Sequence, residues 1–190
     1  MTSGLKITKN PSTALYPCPV VLVTSLAADE RPNIITLAWV GTVCSDPPVI
    51  GIGIRPERHS YKLVKKSGEF VVNIPNEGIL KEVDHCGVVS GRDVDKFSDT
   101  GLTPTPAEKV KAPLILECPV NIECTVMNEI PVGAHHLFLG KIISVHISQE
   151  FLNENNRIDF TKVAPLVFNQ GEYWNLKRKI GFYGFSKKKT

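Results

Sequence analysis

Apolar residues in this chain fall in short, β-branched runs separated by turn-forming residues, a pattern that predicts strands more than long helices. Val20–Ser25 reads as a buried strand, followed by the turn Asp29-Glu30-Arg31-Pro32. Asn33–Val43 resumes the apolar pattern, and as one strand it places Asn33, Ile35, Leu37 and Trp39 on one face. Pro47-Pro48 breaks the chain before a further strand over Val49–Ile54. Ser60–Lys66 has helical spacing, with Tyr61, Leu63 and Val64 as its stripe and Gly68 as its stop. Glu69–Ile74 is a strand, Gly78–Cys86 a second helix ending at Gly87, and 87–113 a long irregular stretch of the kind that often carries function. The clearest alternation is Val120–Val126, with Val120, Ile122, Cys124 and Val126 on one face and Asn121, Glu123 and Thr125 on the other. Pro131-Val132-Gly133 then turns the chain into Ala134–Ser148, where Leu137, Leu139, Ile143, Val145 and Ile147 share a face, making a long hairpin. The expected fold is mainly β: about seven strands and two or three short helices, in a barrel with helices over its openings. Strands do not alternate with long helices, which argues against a doubly wound sheet.

With 190 residues, 42% of them hydrophobic, the chain reads as a single domain over 1–190 with a basic C-terminal tail at 185–190. The pI near 8.6 does not indicate nucleic acid. Six of the 22 basic residues lie in 177–190, which holds no acid, leaving 16 against 19 acidic residues and a net charge of −3 for the rest. That distribution suits a solvated end better than a nucleic-acid face, so no nucleic-acid partner is expected. No apolar stretch approaches the roughly 18–20 residues of a membrane span, and Met1–Asn10 lacks the apolar core of a secretory signal. No membrane association and a cytoplasmic location are the expectation. The cysteines, Cys18, Cys44, Cys86, Cys118 and Cys124, include no C-x-x-C pair and read as small buried residues in a reducing compartment. Cys86, set between His85 and Gly87 in a polar stretch, is the one with a chemical role in view.

Gly51-Ile52-Gly53 begins like a dinucleotide fingerprint, but Pro56 stands where the third glycine belongs, so a strand packed closely against another element is the better reading. His135 and His136 are adjacent on a strand and point to opposite faces, so no metal site is expected. Arg55-Pro56-Glu57-Arg58-His59-Ser60 joins a strand end to a helix start, and its guanidinium groups, hydroxyl and free N–H groups suit a phosphate.

In order along the chain stand N-x-x-T-x-A-W (Asn33, Thr36, Ala38, Trp39), D-P-P (Asp46 to Pro48), R-P-x-R-x-S (Arg55, Pro56, Arg58, Ser60) and F-V-V-N (Phe70 to Asn73). They are followed by S-G-R-D-x-D-K-F (Ser90 to Phe97), G-x-H-x-x-x-x-G (Gly133, His135, Gly140) and P-L-V-F (Pro165 to Phe168). From about Tyr16 to Gly184 this order resembles the flavoredoxin branch of the flavin reductase-like proteins. The resemblance implies an FMN-binding split β-barrel that works as a homodimer, with FMN near the subunit interface. It implies flavin contacts from Asn33, Trp39, Ser60, Lys96, His135 and Phe168, with Thr36, Ala38, Arg55, Arg58 and Asn73 also matching the pattern. His135 is the candidate catalytic residue, an imidazole able to donate a hydrogen bond or assist a proton. The implied function is an FMN-dependent oxidoreductase or electron-transfer protein that keeps FMN as a prosthetic group and draws electrons from a redox partner protein or NAD(P)H. Two alternatives stand beside it: an NAD(P)H:flavin reductase with FMN as substrate, and a non-catalytic binding module that uses the basic tail. Ala134 stands where many relatives carry Asp, which affects any nicotinamide handling that used that carboxylate.

Overall fold

A computed structural model describes residue 4 and residues 6–176 and 178–187. The basic residues Lys177, Lys188 and Lys189 of the tail lie outside the described residues. The strands are β1 (Cys18–Pro19), β2 (Val21–Ser25), β3 (Asn33–Leu37), β4 (Val40–Ser45), β5 (Pro48–Ile54), β6 (Glu69–Ile74), β7 (Pro104–Thr105), β8 (Leu114–Ile115), β9 (Val120–Val132), β10 (His135–Ile147), β11 (Leu166–Asn169) and β12 (Glu172–Asn175). The helices are α1 (His59–Ser67), α2 (Leu80–Val88), α3 (Lys96–Thr100) and α4 (Phe160–Val163). Seven strands form one antiparallel sheet in the order β3-β2-β6-β9-β10-β5-β4. Its two outermost strands, β3 and β4, are consecutive in the chain and separated only by Ala38 and Trp39. A sheet whose edges are joined by two residues has to curl into a barrel. The Gly53 N–H donates to the Trp39 carbonyl at 2.8 Å and ties that corner to β5. This is a mainly β split barrel. The single strand expected over Asn33–Val43 is therefore two strands on opposite edges of the sheet.

Alternate residues of the curled strands fill one interior: Val21, Val23, Ile35, Leu37, Ile50, Ile52, Ile54, Phe70, Val72, Cys124 and Phe138, with Val64 of α1 closing an end. Gly68 stops α1 in the left-handed conformation (φ 71°), its N–H donating to the Val64 carbonyl, as glycine permits at little cost. The other face of β2 and β3, through Val20, Leu22 and Ile34, packs on Val83 and Cys86 of α2 and Phe97 of α3. The irregular stretch 87–113 thus contains α3 and β7, and α2 runs one residue past Gly87. Gly87 lies against Thr36, where a Cβ would come within 3.3 Å of the threonine Cβ. A three-stranded sheet, β1-β11-β12, brings Phe168 and Tyr173 beside this layer. No helix among the described residues is long and apolar enough to cross a membrane.

The hairpin β9–β10 is longer than its alternation suggests and corrects one expectation. Register shifts fall at Leu139/Gly140 and Ile142/Ser144. Paired residues share a face, so after the second shift Val145, opposite Ile122, lies on the face of Cys124, whereas Leu137 and Leu139 lie on the outside near Gly51. Glu123, which the alternation puts with Asn121 and Thr125 on the face opposite Cys124, is fully buried. Its carboxylate accepts the N–H groups of Glu108, Lys109 and Val110 at 2.7–2.9 Å and meets His146 Nε2, which anchors the 106–113 loop on the outside of the barrel. Burial alone would raise this carboxyl; the hydrogen bonds outweigh it and hold the pKa below the usual range.

Candidate functional site

Two neighbouring cavities line the outer surface where β3, β5, the start of α1 and the end of α2 converge. One, of about 340 Å³, is bounded by Leu37, Ala38, Trp39, Ile54, Arg55, Arg58 and His135 among others. The other, about 170 Å³, is bounded by Asn33, Ser60, Cys86, Gly91 and Lys96. Ile35, Arg58 and Gly87 belong to both walls, so the two form one elongated site.

The smaller end is electropositive and rich in donors. Lys96, only 3% exposed, donates from Nζ to the carbonyls of Ile34 and Cys86, each at 2.7 Å. An ammonium carries three N–H donors, and these two bonds leave one for a ligand. Burial pulls the Lys96 pKa down to about 8, leaving it mostly charged at neutral pH. Buried Ser60 accepts a 2.7 Å hydrogen bond from Asn33 Nδ2, fixing both polar groups on the cavity wall. Helix α1 begins here, after Arg58, with neither a side-chain cap nor an acid in its first turn; α2 is also uncapped, at Ile79, but carries Glu82 in its first turn. Helices α3 and α4 are capped by Asp95 and Asp159. Helix N-termini leave N–H groups without intrahelical partners and attract anions, so α1 presents an anion-binding end to the cavity.

The larger end is walled by apolar and aromatic groups. Trp39 is 38% exposed beside Leu37, Ile54 and Phe168. Gly53 allows this, since a Cβ there would meet Trp39 Cβ at 3.2 Å and Gly51 is likewise crowded by Val43. Burial and then Arg55 depress the His135 pKa, so its imidazole is neutral at pH 7.

Ten of the eleven residues expected from the sequence border this site: Asn33, Thr36, Ala38, Trp39, Arg55, Arg58, Ser60, Lys96, His135 and Phe168. Asn73 departs from the expectation. It is fully buried away from both cavities, where its amide donates to the Leu22 carbonyl and accepts from Ile115 N–H and Asn121. Cys86 also departs from its chemical reading, being wholly buried with its thiol pushed up to about 11 by desolvation. Cys44 is exposed and Cys18 half-buried, against the uniform burial expected of the thiols. Spacing did not point to Tyr16 and Tyr173. Tyr16 packs against Trp39 and Phe168 with ring centroids 6.3 and 6.2 Å apart. Tyr173 packs on Phe168 and donates to Asp84 at 3.1 Å, tying β12 to α2. Among the described residues no group of three or more His, Cys, Asp and Glu is placed to hold a metal.

The chain matches the flavin reductase like domain over residues 13–177, and it belongs to that family, whose fold is that of flavin-binding oxidoreductases and electron-transfer proteins. Within the family it falls in the flavoredoxin branch. It superposes on flavoredoxin of Desulfovibrio vulgaris (Miyazaki F) with a TM-score of 0.90 at 33% identity, over 96% of this chain and 99% of that one. Flavoredoxin from Methanosarcina acetivorans gives a TM-score of 0.90 at 30% identity, over 96% and 97% of the two chains. An uncharacterized protein of Archaeoglobus fulgidus is 35% identical over 156 residues, 82% of this chain and 87% of its own length.

Proposed function

We propose that the chain holds FMN as a prosthetic group and works as an oxidoreductase or electron-transfer protein of the flavoredoxin type. The observation that carries this reading is the polarity of the elongated site. A buried lysine, Ser60, Arg58 and an uncapped helix start occupy one end, and Trp39, Phe168, Leu37 and Ile54 the other. That donor set fits a flavin mononucleotide, with the phosphate on α1 and the ring against the aromatic wall. When bound, FMN supplies the hydride- and electron-accepting chemistry. Trp39, Tyr16 and Phe168 orient the ring and keep water from one side of it. Lys96 and Arg58 hold the negative end, and Asn33 fixes the hydroxyl of Ser60. His135, neutral and at the edge of the larger cavity, is the group that holds or moves a proton during turnover. Electrons come from a redox partner protein or NAD(P)H.

We further propose a homodimer formed through β4. This edge strand is exposed along Gly41–Ser45 and carries neither charge nor proline between Val40 and Ser45. An unprotected edge of this kind is ordinarily covered in a native protein. It borders an apolar groove of about 820 Å³ that also takes in Leu15, Val43, Val132 and Leu137. Val43 and Val132 are 57% and 59% exposed. All five cysteines are free thiols, which supports a reducing, cytoplasmic setting.

The test is the visible absorption spectrum of the purified, desalted protein. Flavin bands that survive desalting, with FMN released on denaturation, support the prosthetic reading. Bands that appear only on adding FMN, together with NAD(P)H-driven turnover of free FMN, replace it with a flavin reductase that uses FMN as substrate. No binding of any flavin removes both.

A further inference from the structure

We infer that Arg31 and Arg92 latch the 90–95 loop across the phosphate end of the cavity, restricting the site to flavins that end in a single phosphate and excluding the dinucleotide FAD. This inference rests on the flavin reading of the site. The smaller cavity has two facing walls, Glu57–Ser60 leading into α1 and Val89–Gly91 following α2. Arg92 spans them, donating from Nη2 to the Glu57 carbonyl at 2.9 Å. Arg31, from the turn before β3, donates to the carbonyls of Gly91 at 3.1 Å and Val94 at 2.8 Å. Both side chains belong to exposed residues, yet both reach backbone carbonyls of distant segments, so they join three parts of the chain around one opening. Charge-assisted bonds of this kind are stronger than neutral ones.

The loop itself is built to lie flat under them. Asp93 and Val94 donate from N–H to the Ser90 carbonyl, and Arg92 N–H donates to Ser90 Oγ, which makes a compact turn. Gly91 is buried against Asn33, where a Cβ would stand 1.9 Å from the amide oxygen, so only glycine lets the loop approach this closely. Asp95 then caps α3 through the N–H groups of Phe97 and Ser98, which places Lys96 at the base of the cavity. FMN ends at its phosphate and needs no exit beyond it. FAD continues through a second phosphate into adenosine and has to leave past the Arg92–Glu57 bridge. The end of the site that the bridge spans is small, about 170 Å³, which suits a phosphate and leaves little room for a second one. Selectivity thus comes from an obstruction placed against the wrong ligand, not from an added contact to the right one.

The experiment titrates flavin-free protein with FMN, FAD and riboflavin, following flavin fluorescence, for the natural chain and for Arg92→Ala and Arg31→Ala. Circular dichroism checks that each variant is folded. The natural chain is expected to prefer FMN over FAD by at least about tenfold, and each variant to narrow that ratio severalfold while FMN still outbinds riboflavin. Amide hydrogen exchange at 91–95 is expected to quicken in both variants. Equal binding of FMN and FAD by the natural chain overturns the latch and leaves the flavin reading standing. The same holds if the variants weaken FMN and FAD by one common factor, which would mark the arginines as a general attraction for anions. Failure of all three flavins to bind overturns the flavin reading and the latch with it.

Discussion

Lys96 is the residue on which the electropositive end most depends. Its pKa near 8 lies well below that of a free lysine, because burial disfavours the charged ammonium and the Arg58 guanidinium adds a smaller push in the same direction. Below pH 8 the free protein presents a cation to the phosphate; above it, binding must first take up a proton. FMN affinity is therefore expected to fall by up to about tenfold between pH 7 and 9, measured by fluorescence titration, and Lys96→Met is expected to bind more weakly and lose most of that slope. Cys86 and Arg58 are the other groups acting on Lys96, and the Cys86 thiol titrates only near 11. At this scale the sequence was informative where motif residues sit on one connection, as Arg58 and Ser60 do between β5 and α1. It was silent on Tyr16 and Tyr173, because their meeting with Trp39 and Phe168 depends on the pairing of β1, β11 and β12 across some 150 residues of chain. It placed Asn73 at the site, but membership of the run Phe70–Asn73 does not say which face the amide occupies. Burial of Glu123 was equally hidden. A carboxylate on an alternating strand looks solvated until a loop from elsewhere supplies three N–H donors to it.

Among the elements, α1 shows a conflict between folding and binding. A side-chain cap on a helix start is worth about 0.5–2 kcal/mol; α3 and α4 carry one and α1 and α2 do not, and of these two only α1 also lacks an acid in its first turn. Arg58→Asp is expected to stabilise the flavin-free protein by about 0.5–1 kcal/mol in urea unfolding, while weakening FMN binding by tenfold or more. Equal or improved FMN binding in that variant would show that the phosphate sits elsewhere. The positions of β2, β5, β6 and α1 were legible from apolar runs and a single terminal glycine. The break of Asn33–Val43 into β3 and β4 was not, because apolar alternation continues across Ala38-Trp39 while the barrel's closure turns the chain there. The bulges of the hairpin, at Met127 of β9 and Ile143 of β10, were likewise invisible: an inserted residue changes which face a side chain takes without changing composition.

At the scale of the whole molecule, β4 is the feature that a single chain leaves unresolved. Val43→Glu puts a charge into the apolar groove and is expected to raise the dimer dissociation constant by at least about tenfold, read by sedimentation velocity. A monomeric natural chain at high concentration would remove the β4 proposal. The groove and the larger cavity also share Ala38, Trp39, Gly53 and His135, so the corner that closes the barrel serves both surfaces. Where two ligands meet on one set of residues, each changes the other's affinity by the same factor. On the proposed flavin and β4-dimer readings, cofactor and second subunit are reciprocal effectors: diluting the protein should bleach it, and saturating it with flavin should draw the subunits together.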